Sequence, residues 1–508
     1  MLKRRLFTVL MNTRPFLKRR YLSSEATLSE DEYEKLADET LNKLADYLDS
    51  FPDKFSCDRE YDVNSSMGVV TAKISQKMGT YVINKQTPNR QIWLSSPLSG
   101  PKRFDLVGKK WTSTRDDISL DALLNNEFRK IFQTEKIDFS EWSTIANKSW
   151  EKRMSTWVTK QFDGDMEKVE MPIPTIEKPD ELLVKVKAAS VNPIDTVMRK
   201  GYGRQLCSAV KNFRNCSMDS TILLPFIGGR DCSGIVEQIG GNVKRFKKDD
   251  KVIAVVDPFS SGTHAEFVVV KESNCVSKPT NVSYIDGAAF PYTACTAWSA
   301  LVSIARINPY NAASQRVLIH GGAGGVGTTA VQMLKAWNID KVVVTCSSDC
   351  FNTMQKLGAI PINYKSAEAL EKLISEGPFD VVLDCAQSEL TEQSSKVMGL
   401  WRNSVHVSLS SPLLDDTDRY GILFGIASTG VKYFLKATLP IVRRGQWYSY
   451  AFFAPHPECM QQISEFLKDG KMKPVIDQVF KYDELPIAYE KVLKKKGRGK
   501  TIINMNES

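Results

Sequence analysis

Two stretches of the chain carry residues whose types and spacing could do chemistry. One is Val317–Gly327, VLIHGGAGGVG, an apolar run that enters a glycine loop. Gly322, Gly324 and Gly327 follow the spacing G-x-G-x-x-G, with Ala323, Gly325 and Val326 between them. Glycine at these points permits a tight turn, close approach of the backbone to a pyrophosphate, and close packing of the next helix on the strand. That helix would turn free N–H groups and partial positive charge toward phosphate oxygens. The other stretch is Glu25–Asp62, where Glu34, Asp38, Glu39, Asp46, Asp49 and Asp53 crowd together. Like charges at helical spacing repel by a few tenths of a kcal/mol per pair, which a cation would relieve. An ordinary solvated helix face has the same pattern.

The glycine loop has the context a dinucleotide site needs. A strand, Val317–Ile319, precedes it, an apolar helix from Ala330 to Trp337 follows, and a second strand, Lys341–Thr345, comes next. An NAD site places an acid about 20 residues beyond the loop, on the ribose 2′-hydroxyl. Here the second strand ends Thr345-Cys346-Ser347-Ser348, with Asp349 only after it. The small hydroxyls of Ser347 and Ser348 leave room for a 2′-phosphate, so NADPH is the expected cofactor. Tyr364, Lys365, Arg498 and Lys500 are candidate phosphate neighbours, and His320 beside the loop is expected to be structural.

Composition narrows the function classes. At 508 residues and 42% hydrophobic content the chain can hold several cored domains. Its net charge of +9 is uneven, with basic residues at both ends, and no folded stretch shows a basic face interleaved with aromatics, so no nucleic-acid partner is expected. Ten cysteines without a CxxC pair argue against a disulfide framework or a structural zinc site and fit a reducing compartment. No apolar run reaches the roughly 18 residues of a membrane span, so no transmembrane segment is expected. Residues 1–22, MLKRRLFTVLMNTRPFLKRRYL, contain no acid and set Leu2, Leu6, Phe7, Leu10 and Leu17 against seven cations. That is the composition of a mitochondrial transit peptide, and Arg20-Tyr21-Leu22-Ser23 resembles a matrix-protease site. A disordered basic tail is the plainer alternative.

The acidic stretch opens a domain. Ser29 as N-cap, with Glu32 three residues on, starts a helix in which Tyr33, Leu36, Ala37, Leu41, Leu44, Ala45 and Leu48 share one face. Gly68–Ile74, Gly79–Asn84 and Gln91–Ser96 alternate as strands, and an amphipathic helix closes the segment between Ser119 and Phe132. Helix, antiparallel strands and helix make an α+β sandwich with one open sheet face. The motif YVINKQTPNRQIWLSSPLSGPKRFD, with Tyr33–Leu41 before it, resembles the frataxin family over about residues 29–132. This resemblance implies weak, labile iron binding on the acidic ridge of Glu34, Asp38, Glu39, Asp46, Asp49 and Asp53, with ferroxidase activity as a further expectation. It also implies a partner surface of Asn84, Gln86, Trp93 and Arg103 that docks the cysteine desulfurase–scaffold complex of iron–sulfur cluster assembly. Asn42 and Ser50 stand where the family commonly has acids, which departs from the family's iron stoichiometry.

Residues 133–153 are polar and read as a linker. Strands at Leu182–Val186 and Gly234–Gly240 then point to a small β-rich barrel. Ala188–Asp195, Gly228–Gly234 and Arg498–Thr501 resemble a medium-chain dehydrogenase/reductase of the quinone oxidoreductase branch, from about residue 154 to the C-terminus. Gly201-Tyr202-Gly203 and Tyr450–Phe453 resemble a mitochondrial group within that branch, and the resemblance implies an NADPH oxidoreductase associated with ubiquinone biosynthesis. The resemblance implies a GroES-like substrate domain at 154–299, a Rossmann α/β doubly wound domain at 300–443, and a return to the first domain at 444–508. Zinc-dependent members carry Cys, His and Cys at the catalytic site, whereas this chain aligns Asn192, Arg230 and Pro291 there, and Cys207 and Cys216 stand without a four-cysteine lobe. Without a Lewis acid, hydride must reach an acceptor activated by hydrogen bonds, which suits a quinone or an enone. Asn192 and Tyr202 are the candidates for contacting its oxygen, against barrel-wall packing and a turn. The expectation is a bifunctional mitochondrial protein. Its alternatives are a non-enzymatic assembly factor with a degenerate reductase half, and an artificial join of two separate proteins.

Overall fold

The computed structural model describes residues 30–107, 110–140, 153–215, 223–310, 314–494 and 497–505. It divides into two compact units, Met1–Trp150 and Glu151–Ser508. The transit peptide, the N-cap Ser29, Cys216 and residues 141–152 of the expected linker lie outside the described residues.

In the first unit, α1 (Glu30–Asp49) turns Tyr33, Leu36, Leu41, Leu44 and Leu48 onto a sheet because they recur every three or four residues. The sheet runs in chain order through β1 (Asp62–Ser66), β2 (Val69–Ser75), β3 (Gly79–Gln86), β4 (Gln91–Ser96), β5 (Gly100–Val107) and β6 (Lys110–Ser113), all antiparallel. Alternation puts Tyr81, Ile83, Ile92 and Leu94 inside, leaving Asn84 and Trp93 on the other face. The strand β1, DVNSS, has no apolar alternation, and pairing with β2 alone makes it a strand. The helix α2 (Leu120–Phe132) completes the helical layer, and Gln133 ends it in the left-handed region at φ +49°.

The linker expectation is corrected at its start. Ile137 and Phe139 are fully buried, and the Phe139 ring lies 5.0 Å from Tyr47 and 5.2 Å from Phe128. Arg129 Nε donates to Ile137 O at 2.7 Å, and Phe139 N donates to Asn125 Oδ1 at 2.8 Å. Residues 134–140 therefore belong to the first core, although their polar composition hides it.

The second unit begins with a ribbon of β7 (Arg153–Val158) and β8 (Glu167–Pro172). A larger sheet contains β9 (Glu181–Val191), β10 (Asp231–Ile239), β11 (Lys251–Val255), β12 (Phe267–Lys271) and β13 (Cys275–Ser277). The chain then builds a parallel sheet of β14 (Arg316–His320), β15 (Lys341–Cys346), β16 (Ile360–Asn363), β17 (Val381–Asp384), β18 (Val405–Ser408) and β19 (Trp447–Tyr450), ordered β16-β15-β14-β17-β18-β19. It returns to the sheet of β9–β13 as β20 (Ile476–Lys481) and β21 (Lys500–Asn504), with β21 pairing antiparallel to β9. The architecture is thus the expected GroES-like module with a Rossmann domain, but the return comes later than Arg443. Residues 447–450 pair in parallel with β18, so the parallel sheet keeps the chain through Tyr450.

Five further helices matter below: α3 (Pro193–Arg199), α4 (Arg204–Asn215), α5 (Gly325–Ala336), α6 (Leu413–Tyr420) and α7 (Ile422–Arg444). The last bears on the membrane expectation. Its 23 residues are long and apolar enough to cross a bilayer by length and composition, and only 11% of its apolar window is buried. Lys432, Lys436 and Pro440 break the run in the sequence and conceal it.

Candidate functional site

The strand β14 delivers its chain into the glycine loop, and the loop opens α5. A Cβ on Gly322 would lie 2.6 Å from Val344 Cβ, and one on Gly327 would lie 2.5 Å from Gly321 O. Those two glycines let helix and strand close together. Gly324 differs: a Cβ there meets nothing nearer than Gly321 O at 3.6 Å, so its outer side is open. Gly324 is also the N-cap of α5, where unpaired N–H groups collect. The loop is an anion cradle that a larger side chain would fill, and these residues fit a dinucleotide pyrophosphate.

The C-terminal return completes the cradle. Gly499 N donates to Ala323 O at 3.0 Å, and Gly324 and Gly499 form a parallel bridge. This ties Arg498 and Lys500 to the loop, with opposite outcomes. Arg498 reaches the tip of β15, with Nη2 donating to Ser347 Oγ at 3.3 Å and Nε to Asp349 Oδ2 at 3.2 Å. Ser348 begins the turn that presents Asp349. Tyr364 N donates to Cys346 O at 3.3 Å, which brings Tyr364 to the same end of the sheet, and Lys365 Nζ lies 5.7 Å from the Tyr364 ring centre.

Lys500 corrects its expectation as a 2′-phosphate neighbour. It is buried, and its Nζ donates to Asn192 Oδ1 at 2.6 Å and lies 3.8 Å from Asp231 Oδ2. A Cβ on Gly325 would touch Lys500 Cδ at 3.0 Å, so the lysine stem runs past the glycine loop into the interior. Burial pushes the Lys500 amine below its usual range, opposed by Asp231 and Asp195.

Asn192 is corrected too, as a residue free to touch a substrate. It caps α3 and is 1% exposed, its Nδ2 donating to Ser190 Oγ and Asp231 Oδ1 at 3.1 Å each while Oδ1 accepts from Lys500. Every polar atom of that amide is already used inside the barrel wall. Asp231 also accepts from Ser190 Oγ and from Tyr292 N, the latter at 3.0 Å. Asp195 accepts from Asn192 N at 2.8 Å and from Gly229 N at 3.0 Å, and lies 3.9 Å from Arg230 Nε. Burial raises both carboxyls above the usual carboxylate range; Arg230 is the main opposing influence on Asp195 and Lys500 on Asp231. Two acids and two cations thus share one buried network, which satisfies charges that would be costly alone.

Tyr202 shares a cleft with Arg230. The two line a small cleft of about 40 Å³ with Phe162, Met198, Lys211 and Phe259. Arg230 Nη1 donates to Ser260 O at 3.3 Å. Burial, then Asp415 and Asp418, holds the Tyr202 phenol above its usual range, so it stays protonated and able to donate. Arg230 and Asp231 were visible in the sequence only as part of a motif, and pairing of β10 with β9 brings them into the site. His320 sits between Thr345 Oγ1 at 3.2 Å and Ser394 Oγ at 3.0 Å, a fully buried structural position. The positions aligned with zinc ligands hold a committed amide, a guanidinium and a proline, a donor set that does not fit zinc. Among the described residues, no three His, Cys, Asp or Glu side chains gather to hold a metal.

In the first unit the six ridge carboxylates do not converge. Lys85 Nζ donates to Glu34 Oε2 at 2.5 Å and Asp38 Oδ1 at 2.7 Å, and Lys43 takes Glu39 at 2.7 Å. Asp46, Asp49 and Asp53 stand exposed. The expected partner surface is contiguous: Asn84 faces Trp93 across β3–β4, Trp93 faces Arg103 across β4–β5, and the Arg103 guanidinium lies 4.3 Å from the Trp93 ring centre. Gln91 Oε1 accepts from Trp93 Nε1 at 3.0 Å, and Gln91 pairs with Gln86.

Family models place a frataxin-like domain at residues 26–134, an alcohol dehydrogenase GroES-like domain at 178–280, and a zinc-binding dehydrogenase at 357–503. The chain is 48% identical over 350 residues to Caenorhabditis elegans "Reticulon-4-interacting protein 1, mitochondrial", covering 69% of this chain and 94% of that one. It is 40% identical over 336 residues to human "NAD(P)H oxidoreductase RTN4IP1, mitochondrial", covering 66% and 84%. Its front part is 52% identical over 136 residues to Caenorhabditis elegans "Frataxin, mitochondrial", covering 27% and 97%. Among solved structures it resembles the quinone oxidoreductase of Coxiella burnetii, with a TM-score of 0.55 and 26% identity over 70% of this chain and all of that one. The chain therefore belongs to two families at once, a frataxin-like domain fused to a quinone oxidoreductase-like medium-chain dehydrogenase/reductase.

Proposed function

We propose that the second unit is an NADPH-dependent reductase of a quinone or enone-type substrate, without a zinc Lewis acid. Arg498 carries the reading: it is tied to the glycine loop through Gly499 and points at Ser347, where a 2′-phosphate would sit. The cofactor would supply hydride. The open N–H groups around Gly324 would hold its pyrophosphate, and Arg498 with Ser347 its 2′-phosphate. Tyr202 and Arg230, donors in one cleft, would hydrogen-bond the acceptor oxygen as negative charge develops there. Lys500, Asn192 and Asp231 close a buried charge network beside Asp195 and its partner Arg230.

For the first unit we propose frataxin-like work: weak iron binding on the exposed Asp46, Asp49 and Asp53, and docking of a cysteine desulfurase–scaffold complex through Asn84, Gln86, Trp93 and Arg103. The mitochondrial names of its relatives and the basic leader support placing both activities in the matrix. The open glycine cradle favours a working reductase over a degenerate one, because any side chain at Gly324 would block the phosphate. Titration of the full chain with NADPH, followed by tryptophan quenching, tests this. Saturable binding that Gly324→Asp abolishes is expected, and absence of binding by the native chain overturns the reading.

A further inference from the structure

Strand pairing sets Asp384, His406, Ser408 and Tyr448 on one side of β17, β18 and β19, while Val405 and Val407 take the other. A parallel sheet is covered on both faces and its strands read as apolar runs, so a polar stripe on one face is unusual. These four residues line a cavity of about 470 Å³, together with Lys436 and Pro440 of α7, Ser395 and Gln446. Ligand pockets commonly hold about 300–1,000 Å³.

Two polar atoms of the lining residues have no hydrogen-bond partner among the described residues, Gln446 Oε1 and His406 Nε2. Gln446 is 1% exposed, and its Nε2 donates to Ser395 O at 3.0 Å and to Met398 O at 3.2 Å. Backbone carbonyls only accept, so the amide cannot turn over, and Oε1 is the end left unpaired. Burial keeps the His406 imidazole neutral, lowering it from 6.5 to about 4 against the pull of Asp384. Its Nε2 can therefore meet a hydroxyl as donor or as acceptor. Buried polar groups are nearly always paired, and two orphans on one cavity point to a ligand.

The chemistry of the lining selects that ligand. Gln446 Oε1 only accepts, so the occupant must bring an O–H or N–H. A quinone, which has acceptors alone, leaves it unpaired. The lining brings one cation, Lys436, and two acids, Asp384 and Glu392, so an anion gains no net attraction. Lys436 Nζ lies 5.6 Å from the Tyr448 ring centre, and Asp384 already accepts from Ala386 N, Gln387 N and Ser408 Oγ. His406 and Tyr448 meet edge to face with ring centres 5.1 Å apart, and Trp447 also lines the cavity. Such rings suit a flat aromatic partner. We propose that this cavity is an accessory site for an uncharged phenol-type ligand, whose hydroxyls pair with Gln446 Oε1 and His406 Nε2. It does not depend on the reductase reading.

Calorimetric titration of the full chain with resorcinol, and with its dimethyl ether as the same ring without donors, tests the proposal. Resorcinol should bind with a dissociation constant of about 1 mM or below, and the ether at least about tenfold more weakly. His406→Phe keeps a ring against Tyr448 and should weaken resorcinol about tenfold, with the melting temperature unchanged or raised because an orphaned nitrogen is gone. Ser395→Phe, which fills the cavity, should abolish binding. NADPH titration of the same variants should match the native chain, so failure of the cofactor reading leaves this result standing. The proposal is overturned if the native chain binds no resorcinol, if the ether binds equally well, or if both variants bind as before. Displacement of resorcinol by saturating NADPH also overturns it, since the cavity would then belong to the cofactor.

Discussion

Replacing Arg498 by alanine separates NADPH from NADH binding. In the structure Arg498 Nη2 lies 3.3 Å from Ser347 Oγ and its Nε lies 3.2 Å from Asp349 Oδ2, with side chains 46% and 61% exposed for the arginine–aspartate pair. A charged hydrogen bond to phosphate is worth about ten- to a hundredfold in affinity. Exposure and competition from Asp349 pull this to the low end, about tenfold. Arg498→Ala should therefore raise the NADPH dissociation constant about tenfold and change that for NADH by less than about twofold. Asp349→Asn should do the reverse, freeing Arg498 and tightening NADPH a few-fold. Fluorescence titration of both cofactors at low and high salt reads these effects, and salt should shrink the Arg498 contribution. An equal loss for both cofactors refutes the reasoning, because Arg498 would then only brace the Gly499 turn.

Three further outcomes follow from the same contacts. Phe139→Ala should destabilise the first unit by about 3 kcal/mol in denaturant, since a buried ring is removed from between Tyr47 and Phe128; an unchanged midpoint would return residues 134–140 to the linker. Trp93→Ala should weaken stimulation of a desulfurase–scaffold complex at least tenfold with the melting temperature unchanged, as for a half-buried aromatic hot spot; full stimulation would move the docking surface elsewhere. Burial lowers the His320 imidazole from 6.5 to about 4. A base lowered in the folded state contributes stability that is present above pH 6.5 and lost as pH falls toward 4. The stability advantage of the native chain over His320→Gln should thus shrink across that window by about 3 kcal/mol, and a constant difference between pH 7 and pH 4 would contradict it. The raised Asp195 and Asp231 carboxyls act in the opposite sense, and they cancel in that comparison because both chains carry them.

Much of the fold is legible from periodicity. The spacing of Tyr33, Leu36, Leu41, Leu44 and Leu48 announces α1, and alternation announces β2, β3 and β4. The glycine spacing locates the β14–α5 turn. Polar β1 and the Ile137–Phe139 return escape such reading, because their partners are distant in sequence and only packing defines them. The same applies to α7, whose lysines interrupt an apolar run that becomes continuous only when wound into a helix.

By itself the sequence determined the order of two modules, the glycine cradle, and a β15 tip lined with hydroxyls, since local spacing dictates each of these. The tertiary structure alone decided which side chains share a site. It sent Arg498 to Ser347 and Lys500, two residues on, inward to Asn192, because Arg498 precedes β21 and Gly499 turns the backbone between them at φ +94°. It placed Tyr202 in one cleft with Arg230, residues far apart in the chain, and committed Asn192 to Lys500 and Asp231. It also left the apolar stripe of α7 facing out, which no residue count along the chain could show.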